Sequence, residues 1–96
     1  MKSREEILKA LDGLKDELKR FKVERIGLFG SFAKEDQRPT SDIDFLVRFE
    51  EGADLFDFVG LAQFLEEKLG QKVDVVPETA LRHELKESVL RQVAYV

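Results

Sequence analysis

Asp42 and Asp44 alternate with Ile43 and Phe45 in a run patterned like a β-strand. Residues i and i+2 of a strand point to one face, so the two carboxylates project together with Cα atoms about 6.6 Å apart, twice the rise per residue. That spacing lets both lean on one divalent cation, or on a pair of cations about 4 Å apart. Magnesium suits such a site: it takes hard oxygen ligands, keeps several waters, and is commonly held by one or two carboxylates plus substrate phosphates. Asp74, between Val73 and Val75, is a third carboxylate. If its strand neighbours the first, it comes within reach as a metal ligand or as a general base for an attacking hydroxyl.

Gly30-Ser31-Phe32 precedes the carboxylates and reads as a tight turn that can cradle phosphates. Gly30 can take positive φ and let a phosphate approach the backbone. The N–H groups that follow, at the start of a short helix expected over Ser31 to Asp36, offer donors to an anion, and the Ser31 hydroxyl adds one more. Lys34 and Arg38 are candidates for charge contact with a triphosphate. A plain β-to-α turn also favours glycine and serine, so it is the ordered set of turn and carboxylates that points to a metal-dependent enzyme acting on a nucleoside triphosphate.

The elements that would position these residues follow from periodicity. Ile7, Leu8, Leu11, Leu14, Leu18 and Phe21 recur at helical spacing, which predicts one amphipathic helix from Ser3 to Phe21, opened by a Ser3/Glu6 capping box and weakened at Gly13. Val23 to Phe29 is expected as a strand and Asp42 to Phe49 as a second, with Ile43, Phe45 and Val47 on one side and Asp42, Asp44 and Leu46 on the other. Asp54 starts a long helix to Leu69, closed by Gly70. Its apolar set includes more aromatics than one core-facing stripe needs. Phe56, Phe58 and Phe64 are expected in the core rather than at an interface, although all three do not easily face one way, and the surplus either buries under the sheet or marks a contact surface. Lys72 to Val76 is a third strand stopped by Pro77, and a last helix is expected from Thr79 or Ala80 to about Val93, with Leu81, Leu85, Val89, Leu90 and Val93 on one face. The order implies an α/β layer domain with a small sheet.

Composition narrows the function classes. The 96 residues predict one domain, 1–96, near the lower size limit for a single core. A domain this small often completes its surface with a partner or a second copy of itself. Sixteen basic against twenty acidic residues give a net charge of −4, which argues against nonspecific nucleic-acid binding. There is no cysteine, so disulfides and thiolate metal sites are excluded; no long apolar run or signal-like start is seen, and the cytoplasm is the expected compartment. His83, the single histidine, is expected at the surface, and Tyr95, the single tyrosine, at a docked or frayed terminus.

Gly30-Ser31-Phe32-Ala33, then Ser41-Asp42-Ile43-Asp44-Phe45-Leu46-Val47, then Lys72-Val73-Asp74-Val75-Val76 resembles the minimal nucleotidyltransferase (MNT) family of the DNA polymerase β-like nucleotidyltransferase superfamily. The resemblance covers nearly the whole chain. It implies that superfamily's fold, a small mixed sheet packed with helices, and transfer of a nucleoside monophosphate, with AMP from ATP the expected case, to a hydroxyl. Carried over, Gly30 and Ser31 would bind the phosphates with Lys34 beside them, Asp42 and Asp44 would hold Mg2+, and Asp74 would be the third ligand or the base. Small MNT proteins are typically antitoxins of HEPN-domain ribonuclease toxins, and some inactivate the toxin by adding AMP to a tyrosine. One departure stands out: many members have Ala-Arg-Gly after the serine turn, whereas Ala33 is followed here by Lys34, Glu35 and Asp36. Lysine lacks the bidentate fork of arginine, and two acids beside a phosphate site oppose an anion. The resemblance therefore implies either an active transferase or an antitoxin of weak or no catalysis that neutralises its partner by binding alone.

Overall fold

The Ser3 hydroxyl accepts the Glu6 N–H and the Glu6 carboxylate accepts the Ser3 N–H, each at 3.2 Å, so the expected capping box opens helix α1, Arg4–Gly13. The computed structural model describes residues 3–30 and 42–96. The predicted single helix to Phe21 is in fact broken. Leu14 leaves helical geometry (φ −104°, ψ 3°), and a short α2, Lys15–Leu18, runs into a 3-10 turn, Lys19–Phe21. Gly13, among the poorest helix formers, stands where the helix yields, and beyond the bend Leu18 is still buried in the core.

Strands β1 (Val23–Phe29), β2 (Ile43–Phe49) and β3 (Val73–Pro77) lie within a residue of their expected bounds, with Pro77 inside β3 rather than beyond it. Helix α3 (Leu55–Leu69) lies where expected, capped by Asp54 and closed by Gly70 at φ 65°. The expected helix over Ser31 to Asp36 falls outside the described residues. The C-terminal region differs from expectation. A 3-10 turn, Glu78–Ala80, precedes a shorter helix α4, His83–Gln92, and Ala94–Tyr95 form a fourth strand, β4, that the periodicity reading did not separate from the helix. The sheet order is β3-β2-β1-β4; β1 is antiparallel to both β2 and β4, and β2 is parallel to β3.

Register assigns the two faces of the sheet. Ile26 and Leu28 lie opposite Val47 and Phe45, and Ile43 and Phe45 lie opposite Val73 and Val75. This face packs with Ile7 and Leu11 of α1, Leu18, and Leu61, Leu65 and Leu69 of α3 into one core. The helix α3 makes the crossover that two parallel neighbours require. Leu65 is fully buried, and Leu65→Ala is expected to cost about 2–5 kcal/mol, read as a lower denaturant midpoint at unchanged slope.

The opposite face carries Asp44, Leu46, Arg48, Asp74, Arg25, Gly27 and Phe29. Leu46 is fully buried there yet lies outside the main core. Gly27 leaves room for the C-terminal segment: a Cβ on it would strike Val93 and Tyr95. Leu85 and Leu90, by contrast, remain exposed, so the stripe expected on the last helix is not buried as a unit.

The C-terminus is docked through a cluster that the sequence reading did not find. Glu78 accepts two hydrogen bonds from Arg25, at 3.0 and 3.3 Å, and one from the Tyr95 hydroxyl at 3.2 Å. The Arg25 guanidinium also lies 4.3 Å from the centre of the Tyr95 ring. Burial alone would push the Glu78 carboxyl up, but Arg25, the Tyr95 hydroxyl and Arg48 together hold it below its ordinary value. The partners are more than 15 residues apart in sequence, so no local pattern advertises them. Glu78→Ala is expected to loosen β4, seen as about tenfold faster exchange of the Val96 amide, which donates to the Ile26 carbonyl.

Candidate active site

Asp44 and Asp74 are direct partners across the parallel β2–β3 ladder. Neighbouring strands lie about 4.8 Å apart, and partners in a ladder share a face, so the two carboxylates stand side by side. Asp42, one residue before β2 and exposed, alternates onto the same side as Asp44. Strand β3 reaches this register from both sides. Ile43 donates its N–H to the Lys72 carbonyl at 3.0 Å, and the Glu66 carboxylate of α3 accepts the Val73 N–H at 3.1 Å. The second bond also covers an N–H that faces away from β2 at the sheet's edge, where an unpaired strand invites unwanted pairing.

Gly30 closes the site from the β1 side. Phe29 lies opposite Asp44, and Gly30, at φ 74°, follows it into the turn. A Cβ on Gly30 would collide with the Asp44 carboxylate oxygen Oδ2 and come within 3.1 Å of its Cγ. Any other residue would therefore be strained by backbone and neighbour alike. The glycine keeps open the space in which the Asp44 carboxylate sits. Ser31 and Lys34, the other residues expected at the phosphate turn, fall outside the described residues.

Electrostatics mark Asp44 out. Burial, then the nearby charges of Asp74 and Asp42, push its carboxyl up from 3.8 to about 6. A carboxylate held at such cost beside two others is a group that gains from a cation. Among the described residues, no group of three His, Cys, Asp or Glu side chains is placed to hold a metal ion by itself. An octahedral magnesium site that completes itself with water and substrate phosphates does not require one. The donor set is all hard oxygen, and it fits that ion.

Residues 9–96 match the family model described as the nucleotidyltransferase domain. The chain belongs to the nucleotidyltransferase family. A curated relative, the protein adenylyltransferase MntA of Thermococcus cleftensis, is 43% identical over 96% of this chain and 94% of its own length. Among solved structures, one assigned as a minimal nucleotidyltransferase aligns with a TM-score of 0.86 and 36% identity, covering 97% of this chain and 95% of that one. A toxin–antitoxin complex with AMP-PNP aligns at a TM-score of 0.69 and 30% identity, over 88% of this chain and 70% of that one. The complex of a tri-AMPylated Shewanella oneidensis HEPN toxin with its MNT antitoxin aligns at 0.66 and 25%, over 93% and 70%. The minimal nucleotidyltransferase resemblance read from the motifs agrees with these likenesses, and so does the mixed-sheet fold. This nucleotidyltransferase presents its paired carboxylates at the N-terminal ends of β2 and β3, beside the C-terminal end of β1. No helix among the described residues is long and apolar enough to cross a membrane.

Proposed function

We propose that this nucleotidyltransferase transfers AMP from ATP, with magnesium, to a hydroxyl of a HEPN-domain toxin and so acts as its antitoxin. The pairing of Asp44 with Asp74, with Gly30 packed against the Asp44 carboxylate, is the observation that carries this reading. Support for the acceptor being a protein comes from the relative named as a protein adenylyltransferase and from the AMPylated toxin in the similar complex. In this reading Asp42 and Asp44 would hold the metal, and Gly30, Ser31 and Lys34 would bind the triphosphate. When bound, magnesium supplies positive charge against the phosphate oxygens and so lowers the barrier to attack. Asp74 orients the acceptor hydroxyl and takes its proton. The acceptor oxygen bonds to the α-phosphorus as the bond to the bridging oxygen breaks, and pyrophosphate leaves.

Incubation with α-labelled ATP, magnesium and the HEPN-domain protein of the same genome tests the proposal. Label is expected on the HEPN protein, and the Asp42→Asn/Asp44→Asn double variant is expected to transfer about a thousandfold less or worse. Equal labelling by both proteins would refute the assignment.

A second reading is favoured by the acidic Glu35-Asp36 pair after the turn and by the exposed Leu55 and Phe56. In it the chain neutralises the toxin by covering it, with little or no transfer. It predicts that the same double variant still suppresses toxicity when the two proteins are co-expressed.

A further inference from the structure

Helix α3 opens with two large apolar side chains that the fold does not use. Leu55 is 71% and Phe56 87% exposed, so Phe56 does not take the core position expected of it, and Val59, one turn on, is 43% exposed. Phe58 and Phe64 of the same helix pack against the core, so the helix would bury its inner face equally well with polar residues at 55 and 56. Beside Leu55 runs an open groove of about 480 Å³ whose walls include Phe49, Phe58 and Pro77. Both features lie at the far end of β2 from the carboxylates. Phe49 is five residues along the strand from Asp44, roughly 16 Å.

The charge around the patch restricts what can cover it. Glu50 and Asp54 line the groove and are exposed, and Glu51, next in the chain to Glu50, is exposed as well, while Asp57 is joined to Lys22 at 3.4 Å and adds no net charge. A nucleic-acid backbone would meet this acidic rim with repulsion. A second copy, itself at net −4, would bring like charge to like if the patch paired with itself. An apolar surface with acids along one edge is complementary to an amphipathic helix flanked by Lys and Arg.

We propose that Leu55, Phe56 and Val59, with the adjoining groove, dock a basic-flanked amphipathic helix of the partner protein. The inference rests on the antitoxin reading above and deepens it: the partner is held at one end of the sheet while the carboxylates at the other end stay open to nucleotide and acceptor. Binding and transfer then occupy separate surfaces and can be lost separately.

The test measures affinity for the HEPN-domain protein of the same genome by calorimetry, at low and high salt. Leu55→Asp/Phe56→Asp is expected to weaken binding about a hundredfold, because exposed apolar anchors dominate such contacts. Glu50→Lys/Glu51→Lys is expected to weaken it about tenfold at low salt and less at high salt. Both variants should keep the wild-type circular dichroism spectrum, melting temperature and magnesium-dependent ATP binding, since the substituted side chains support neither core nor site. The Asp42→Asn/Asp44→Asn variant should bind the HEPN protein as the wild type does. Undiminished binding by Leu55→Asp/Phe56→Asp would overturn the docking surface while leaving the transfer reading intact, which the label on the HEPN protein reports independently. A wild type that neither binds nor labels that protein would overturn both. A wild-type dimer that the same substitutions convert to monomer would show a second copy on the patch and overturn the proposal.

Discussion

Asp44→Asn is expected to reduce nucleotidyl transfer by three orders of magnitude or more and yet to make the metal-free protein more stable at neutral pH. The first effect follows if the residue holds the cation, since a lost metal ligand removes several kcal/mol of transition-state charge stabilisation. The second follows from the environment of the carboxyl. Burial, Asp74 and Asp42 raise it to about 6, against an ordinary 3.8, so the folded chain binds that proton more tightly than the unfolded chain. The associated stability is fully present below pH 3.8 and is lost as pH rises through about 6. With the group only half-buried and screened by solvent, the loss amounts to about 1–2 kcal/mol. The wild type without metal should therefore melt lower at pH 7.5 than at pH 5.5 relative to Asp44→Asn, whose profile lacks this step. Magnesium should raise the wild-type melting temperature at pH 7.5 and do little for the variant. A variant no more stable than the wild type at pH 7.5, with transfer intact, would remove Asp44 from the site.

Gly30→Ala is the second large effect. One methyl group meets two obstacles at once: a backbone at φ 74°, which L-residues adopt at a cost, and the Asp44 carboxylate in the space it would fill. Relief requires either the turn or the carboxylate to move. The cost to folding is about 1–2 kcal/mol, whereas displacement of a ligand by even 1 Å can cost about a hundredfold in rate. Transfer is expected to fall about a hundredfold, with weaker magnesium dependence, while the melting temperature drops by only several degrees. A comparable substitution at Gly13, where a Cβ would meet nothing within 4 Å, should leave transfer unchanged. That contrast separates crowding at the site from a general loss of stability.

Much of the layout was legible in the chain because it is encoded locally. Strand alternation put Asp42 and Asp44 together and apart from Ile43, Phe45 and Val47. The Ser3/Glu6 box set the start of α1, the Asp54 cap and the closing Gly70 set both ends of α3, and Pro77 came as the last residue of β3. These are properties of neighbours along the backbone, where periods of two and 3.6 residues and a few special φ values decide the outcome.

What the chain could not display were relations between distant segments. That Asp74 falls opposite Asp44, rather than one residue away on the other face, is a matter of strand register, in which the Ile43 N–H donates to the Lys72 carbonyl. The break at Leu14 follows Gly13, a weak helix former, and Leu18 beyond it is still buried. The fourth strand exists because β1 offers an edge for Ala94 and Tyr95 and because Glu78, Arg25 and Tyr95 meet across it, although a two-residue strand has no period to detect. Phe56 and Phe58, alike in sequence, part ways because a helix turns about 100° per residue and only one of them faces the sheet. Local chemistry thus named the reacting groups, and only packing over long sequence separation decided which of them meet and which apolar side chains remain free to meet another molecule.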